Sequence, residues 1–191
     1  MLDAHIDRSI AALNSIRPLA AEAKRAVTLL AECLSNGGKV LMCGNGGSAA
    51  EAAHFATELL CRFERDRPSL PALNLSADGS FLTATGNDYD FSRIFSRQVD
   101  GLGKKGDLLV AFTTSGNSKN VVRAMDAAKG RGMKVIGFLG RDGGEAKGLA
   151  DVALVVPGNA TAPIQEAHQV LLHYLCAEME QVMFPGLHRQ D

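Results

Sequence analysis

Apolar positions along the chain follow two different periods. Leu2, Ile6, Ile10, Leu13 and Ile16 recur at helical spacing. Pro18 separates this first helix from a second that runs to Ser35, where Asn36-Gly37-Gly38 stops it. From Lys39 the pattern changes to short, nearly unbroken apolar runs at 39–43, 72–75, 108–112, 134–139 and 152–156. Between and after them lie helical stretches at 48–61, near 81–85, at 118–129 and at 164–183, the last ended by Pro185-Gly186. Apolar strands alternating with helices predict an α/β fold, with a parallel sheet covered on both faces. No linker, charge block or fixed-period repeat divides residues 1–191, so a single domain is expected, with a hairpin at 1–36 and a core at 37–191. A hairpin placed before the first strand fills no strand–helix–strand slot. Its apolar stripe is expected to cover something else, such as another subunit.

Two loops stand out against this pattern: Gly44-Asn45-Gly46-Gly47-Ser48 and Thr113-Thr114-Ser115-Gly116-Asn117-Ser118. Each follows an apolar run and opens a helix, where free backbone N–H groups and the helix dipole favour an anion, most often a phosphate. The second loop packs the hydroxyls of Thr113, Thr114, Ser115 and Ser118 around Gly116. Neither loop is a GxxxxGK[ST] phosphate loop, and the first departs from GxGxxG by ending in Ser48. Either alone also reads as a plain strand-to-helix turn with an N-cap serine.

Bulk composition narrows the partners. The chain has 191 residues, 46% of them hydrophobic, and a formal net charge of −1. No basic field invites nucleic acid, and aromatics at 5% with no Trp leave little to stack bases on. No apolar stretch approaches the roughly 20 residues that span a bilayer, and no signal peptide is expected. Cys33, Cys43, Cys61 and Cys176 are scattered without a CxxC pair, which fits reduced thiols and a cytoplasmic location.

Candidate chemistry sits on two helices. His54 and Glu58 are four residues apart, hence on one helical face, able to chelate one metal, share a proton, or form a surface pair. The last helix carries Gln165, Glu166, His168 and His173, with Gln165 and His173 about two turns apart. Asn87-Asp88 reads as an Asx-type turn or as an amide and carboxylate for sugar hydroxyls. Arg62, four residues after Glu58, faces either substrate or solvent.

Together these residues resemble the sugar isomerase (SIS) fold family, and within it the phosphoheptose isomerases. The likeness rests on CGNGGSAAEAAHFATEL (43–59), GNDYDFSRIFSRQV (86–99), TTSGNSKNVVRA (113–124) and IQEAHQVLLH (164–173). It implies a three-layer, flavodoxin-like αβα sandwich around a five-stranded parallel sheet, assembled as a homotetramer. It also implies isomerisation of sedoheptulose 7-phosphate to glycero-manno-heptose 7-phosphate, which opens a pathway to the heptose of lipopolysaccharide and related glycans. By the same resemblance Thr113, Thr114, Ser115 and Ser118 hold the phosphate, while Asn45, Gly46, Gly47, Ser48, Glu58, Arg62, Asn87, Asp88 and Gln165 contact the sugar. His54, Glu58, Gln165 and His173 match a site for one zinc ion per subunit, and Glu58 and His173 match the proton-transfer residues. Thr113 stands where many relatives have serine, which keeps the hydroxyl. A cousin branch of tetrameric adaptors binds a replication initiator; those proteins generally lack a histidine matching His173, so its presence favours the isomerase. A sugar-phosphate-sensing domain of a regulator is a third possibility, disfavoured by the lack of a DNA-binding module.

Overall fold

A computed structural model describes residues 1–188. The short apolar runs become five parallel strands: β1 (Val40–Cys43), β2 (Ala72–Asn74), β3 (Leu108–Thr113), β4 (Lys134–Gly140) and β5 (Val152–Val156), in the order β2-β1-β3-β4-β5. Because side chains alternate across a strand, each strand feeds two cores. Val40, Met42, Leu108, Val110 and Phe112 point to one face, and Leu41, Cys43, Leu109 and Ala111 to the other. Both faces are covered, which is why nearly every position of β1 and β3 is buried and apolar rather than alternating.

Among the described residues seven α-helices make the outer layers: α1 (Leu2–Ser15), α2 (Ala20–Ser35), α3 (Gly47–Leu60), α4 (Gly79–Asp88), α5 (Ser96–Leu102), α6 (Lys119–Gly130) and α7 (Thr161–Met183). The first face packs under α2, α3 and α7, the second under α5 and α6. This is the expected three-layer sandwich. Sequence periodicity misses α5, whose seven residues bury only Val99. Residues 79–88 form one helix capped by the Asp78 carboxylate, which accepts from the N–H groups of Ser80 (2.9 Å) and Phe81 (3.1 Å). Asn87 and Asp88 therefore end a helix instead of forming an Asx turn.

The N-terminal hairpin needs a correction. Its second helix, α2, buries Ala23, Ala26, Val27, Leu30 and Leu34 in the chain's own core, so that stripe covers this sheet and not another subunit. Only α1 remains on the outside, resting on α7 with Ala12 buried and Leu2, Ile6 and Ile10 exposed. The four thiols are free. Burial pushes Cys33 up to about 11, helped by the nearby Asp107, and burial alone lifts Cys43 to about 12.

Candidate active site

In this strand order the chain runs from β1 to β2 on one side and then crosses back to β3 on the other side of β1. The crevice beyond the ends of β1 and β3 is the switch point where doubly wound sheets hold ligands. Both glycine- and hydroxyl-rich loops begin there. The first enters α3 through Gly46, whose φ of 56° suits glycine. Gly47 is tighter still, because a Cβ there would strike the Gln165 side chain. That contact seats Gln165, on α7, directly against the first loop. Ser48 is buried in the first turn of α3.

The second loop gathers its hydroxyls as expected. Thr113 Oγ1 lies 3.1 Å from Ser118 Oγ and 3.4 Å from Ser115 Oγ. Ser115 Oγ accepts from the Asn117 N–H (3.1 Å), and Asn117 Oδ1 accepts from the Glu145 N–H (3.0 Å), which ties the loop to its neighbour. At Gly116, with φ of 69°, a Cβ would strike the Gly143 carbonyl. Thr114 is half-buried beside these groups. Ser118 caps α6 through its backbone carbonyl, accepting from the Val121 and Val122 N–H groups, so its hydroxyl stays within the cradle. A residue not singled out in the sequence, Asn120, joins the two loops. Its amide and that of Asn45 exchange two hydrogen bonds of 2.8 Å.

On the facing sides of α3 and α7 the ionisable residues converge. His54 Nε2 lies 2.9 Å from Glu58 Oε1 and 3.3 Å from His173 Nε2. All three are part-buried. Burial holds the His173 imidazole below its ordinary value, reinforced by His54 and opposed by the Glu58 carboxylate. Neutral imidazole is thus the prevailing form at neutral pH, able to accept and return a proton. Phe63 stacks on His173, with centroids 5.4 Å apart and planes at 18°.

Phe63 belongs to a strap, residues 61–70, that leads from α3 toward β2. Glu180 on α7, fully buried, anchors it by accepting from the N–H groups of Phe63 (3.0 Å), Glu64 (3.0 Å) and Arg65 (2.9 Å) and from Arg67 Nε (2.8 Å). Arg67 in turn donates to the carbonyls of Glu58 (2.6 Å), Leu59 (2.8 Å) and Pro68 (3.0 Å). No local pattern marks the anchor, because Glu180 lies more than a hundred residues from the strap it holds.

Other expected site residues stand apart. Asn87 Nδ2 donates to Asp88 Oδ1 (2.9 Å) at the exposed end of α4, and neither bonds to the loops. Arg62 is exposed and turns to the Phe63 carbonyl at 3.5 Å. His168, fully buried, approaches the Leu139 carbonyl (3.3 Å) and lies 3.9 Å from Glu51, on the core side of α7. Among the described residues, no group of three or more His, Cys, Asp or Glu side chains stands in a metal-ligating arrangement. Nor is any helix among them long and apolar enough to cross a membrane.

A doubly wound parallel sheet with a hydroxyl-rich loop at its switch point and a carboxylate–imidazole cluster on the facing helices is an architecture suited to binding an anionic small molecule and moving protons. Comparison with known proteins agrees. The SIS domain model matches residues 5–140. A phosphoheptose isomerase from a Nitratiruptor species is 55% identical over 150 residues, covering 78% of this chain and 80% of that protein. The solved phosphoheptose isomerase of Neisseria gonorrhoeae superposes with a TM-score of 0.89 at 45% identity, over 94% of this chain and 97% of that one. That of Francisella tularensis gives 0.90 at 41%, over 94% and 96%. The chain belongs to the SIS domain family and, within it, to the phosphoheptose isomerases. These relatives favour the isomerase over the initiator-binding adaptor.

Proposed function

We propose that this chain is an aldose–ketose isomerase interconverting sedoheptulose 7-phosphate and D-glycero-D-manno-heptose 7-phosphate, feeding the heptose of lipopolysaccharide or a related glycan. The observation that carries the reading is the convergence of His54, Glu58 and His173 on the facing sides of α3 and α7. Thr113, Thr114, Ser115 and Ser118 hold the phosphate, which fixes the far C1–C2 end of the sugar and lowers the entropic barrier to reaction. The first loop, with Asn45, Gly46, Gly47 and Ser48, and Gln165 beside it, contacts the sugar chain. Arg62, Asn87 and Asp88 join the site once substrate or a second subunit closes over them.

Starting from the ketose, the Glu58 carboxylate removes a proton from C1. The electron pair forms the C1–C2 double bond of an enediolate, with the charge on the C2 oxygen. Neutral His173 takes the proton of the C1 hydroxyl and passes it to the C2 oxygen, the C1 carbonyl forms, and Glu58 returns its proton to C2. One proton has moved between carbons and one between oxygens, with no net oxidation. An imidazole that is neutral near pH 7 suits the oxygen shuttle.

Zinc, one per subunit, belongs to the same proposal. Two imidazoles and a carboxylate are donor types that zinc accepts, and the Gln165 amide would be an uncommon fourth. His54 Nε2 lies at hydrogen-bond distance from a carboxylate oxygen and from a second ring nitrogen, and an ion would have to draw these donors out of those mutual contacts. His54, Glu58, His173 and Gln165 would hold the ion, which when bound polarises the sugar carbonyl and its developing oxyanion. The exposed Leu2, Ile6 and Ile10 of α1 supply an apolar face for a homotetramer, and the chain is proposed to act in the cytoplasm.

Incubating the purified protein with sedoheptulose 7-phosphate, with and without added zinc, tests the reading. Appearance of the aldose phosphate is expected; no product under either condition overturns it.

A further inference from the structure

Between Gln165 and His173, four residues from each on the same stripe of α7, stands Gln169. Its amide Nε2 lies 2.6 Å from His54 Nδ1, on the far side of the ring from Glu58 and His173. We propose that Gln169 is a positioning residue that decides which nitrogen of His54 carries the proton. The proposal rests on the reading of His54, Glu58 and His173 as the working site.

Neutral imidazole has one donor and one acceptor. With the Gln169 N–H aimed at Nδ1, that nitrogen accepts and the proton must sit on Nε2. From there it is donated to Glu58 Oε1 at 2.9 Å. In this state Nε2 has no lone pair to offer. Half a turn of the amide places the Gln169 carbonyl opposite Nδ1 instead. Nδ1 then carries the proton, and the Nε2 lone pair faces the space shared with Glu58 and His173, where a cation would be taken. A carboxylate at position 169 would permit only the second state, and an aliphatic side chain would enforce neither. Glutamine serves both, so one side chain switches His54 between proton donor and open ligand. Partners behind a ligating histidine generally fix its tautomer in this manner.

The test is nitrogen-15 NMR of the histidine rings in the metal-free protein, paired with zinc affinity measured by chelator competition. Wild type is expected to show His54 protonated at Nε2 without metal and at Nδ1 after zinc is added. Gln169→Glu should show the Nδ1–H form before any metal is added, with zinc affinity at least that of wild type. Gln169→Leu should show mixed tautomers and zinc binding weakened about 10–100-fold. Thermal melts of both variants check that the fold is kept. An unchanged His54 tautomer in both variants overturns the proposal, as does a Gln169→Glu protein that matches Gln169→Leu. Because these readouts need no substrate, absent turnover in wild type would strike the isomerase reading and leave this one standing.

Discussion

Replacing Glu180 with alanine should both destabilise the protein and slow it. The carboxylate is fully buried and accepts three backbone N–H groups and the Arg67 guanidinium. Removing one side of a buried ion pair costs about 3–5 kcal/mol, because the other charge is stranded. Here Arg67 keeps three carbonyl acceptors, two of them in the last turn of α3, which softens its loss. The three orphaned N–H groups pull the other way, at about 1–3 kcal/mol each where water cannot reach them. A net loss of at least about 4 kcal/mol is therefore expected. At about 2–4 °C per kcal/mol for a chain of this size, the melting temperature falls by at least about 8–16 °C. The strap also carries Phe63, stacked on His173, and Arg67 holds the turn of α3 that bears Glu58. Turnover should then drop even at temperatures well below the new midpoint. Calorimetry and a steady-state assay of the same preparation read both effects. A midpoint within about 3 °C of wild type, with kcat unchanged, would refute the idea that this carboxylate organises the strap.

Glu58→Gln and His173→Gln should each lower kcat by about 10²–10⁴-fold with an unchanged melting curve, since general acid–base groups contribute on that scale; near-normal turnover in either removes that residue from the mechanism. Exhaustive chelation should abolish isomerase activity and zinc should restore it; full activity in verified metal-free protein would end the metal proposal. Burial works to raise the Asp107 carboxyl, but hydrogen bonds from the Lys39 ammonium and from the Lys39 and Lys104 N–H groups prevail and hold it below the ordinary carboxylate range. A carboxyl depressed in the folded state lends stability that is complete above the unfolded value, about 4, and is lost as pH falls through the lower folded one. Urea titrations from about pH 6 to about pH 2 should accordingly show the gap between wild type and Asp107→Asn shrinking only below about pH 4; a constant gap would contradict this.

Much of the architecture was legible because it is local. Buried parallel strands are apolar at successive positions, so the runs at 108–112 and 134–139 lie within a residue of β3 and β4. The hydroxyl loop is likewise a contiguous signal. His54, Glu58 and His173 were found as residues at helical spacing, but what places them within 3.3 Å is the packing of α3 on α7, which no spacing encodes. Phe63, Arg67, Asn120, Gln169 and Glu180 escaped for the same reason: each acts through a partner distant in sequence. Gln169 alone had a signal, being midway between two residues already chosen on the same helical stripe. The fate of the N-terminal stripe depended on a choice between the chain's own sheet and a second subunit, and amphipathicity states only that a face must be covered.

One rigid element sets the spacing of the whole catalytic edge. α7 is 23 residues long, about 34 Å of continuous helix. Along it Gln165 touches the first loop, Gln169 and His173 meet His54, and Glu180 grips the strap. These contacts act as marks on a ruler. A single residue inserted between 165 and 180 would rotate everything beyond it by about 100° and break contact with either the cradle side or the strap side together. The tract from Gln165 to Glu180 therefore tolerates no change in length, whereas an insertion outside it leaves these contacts in register with one another.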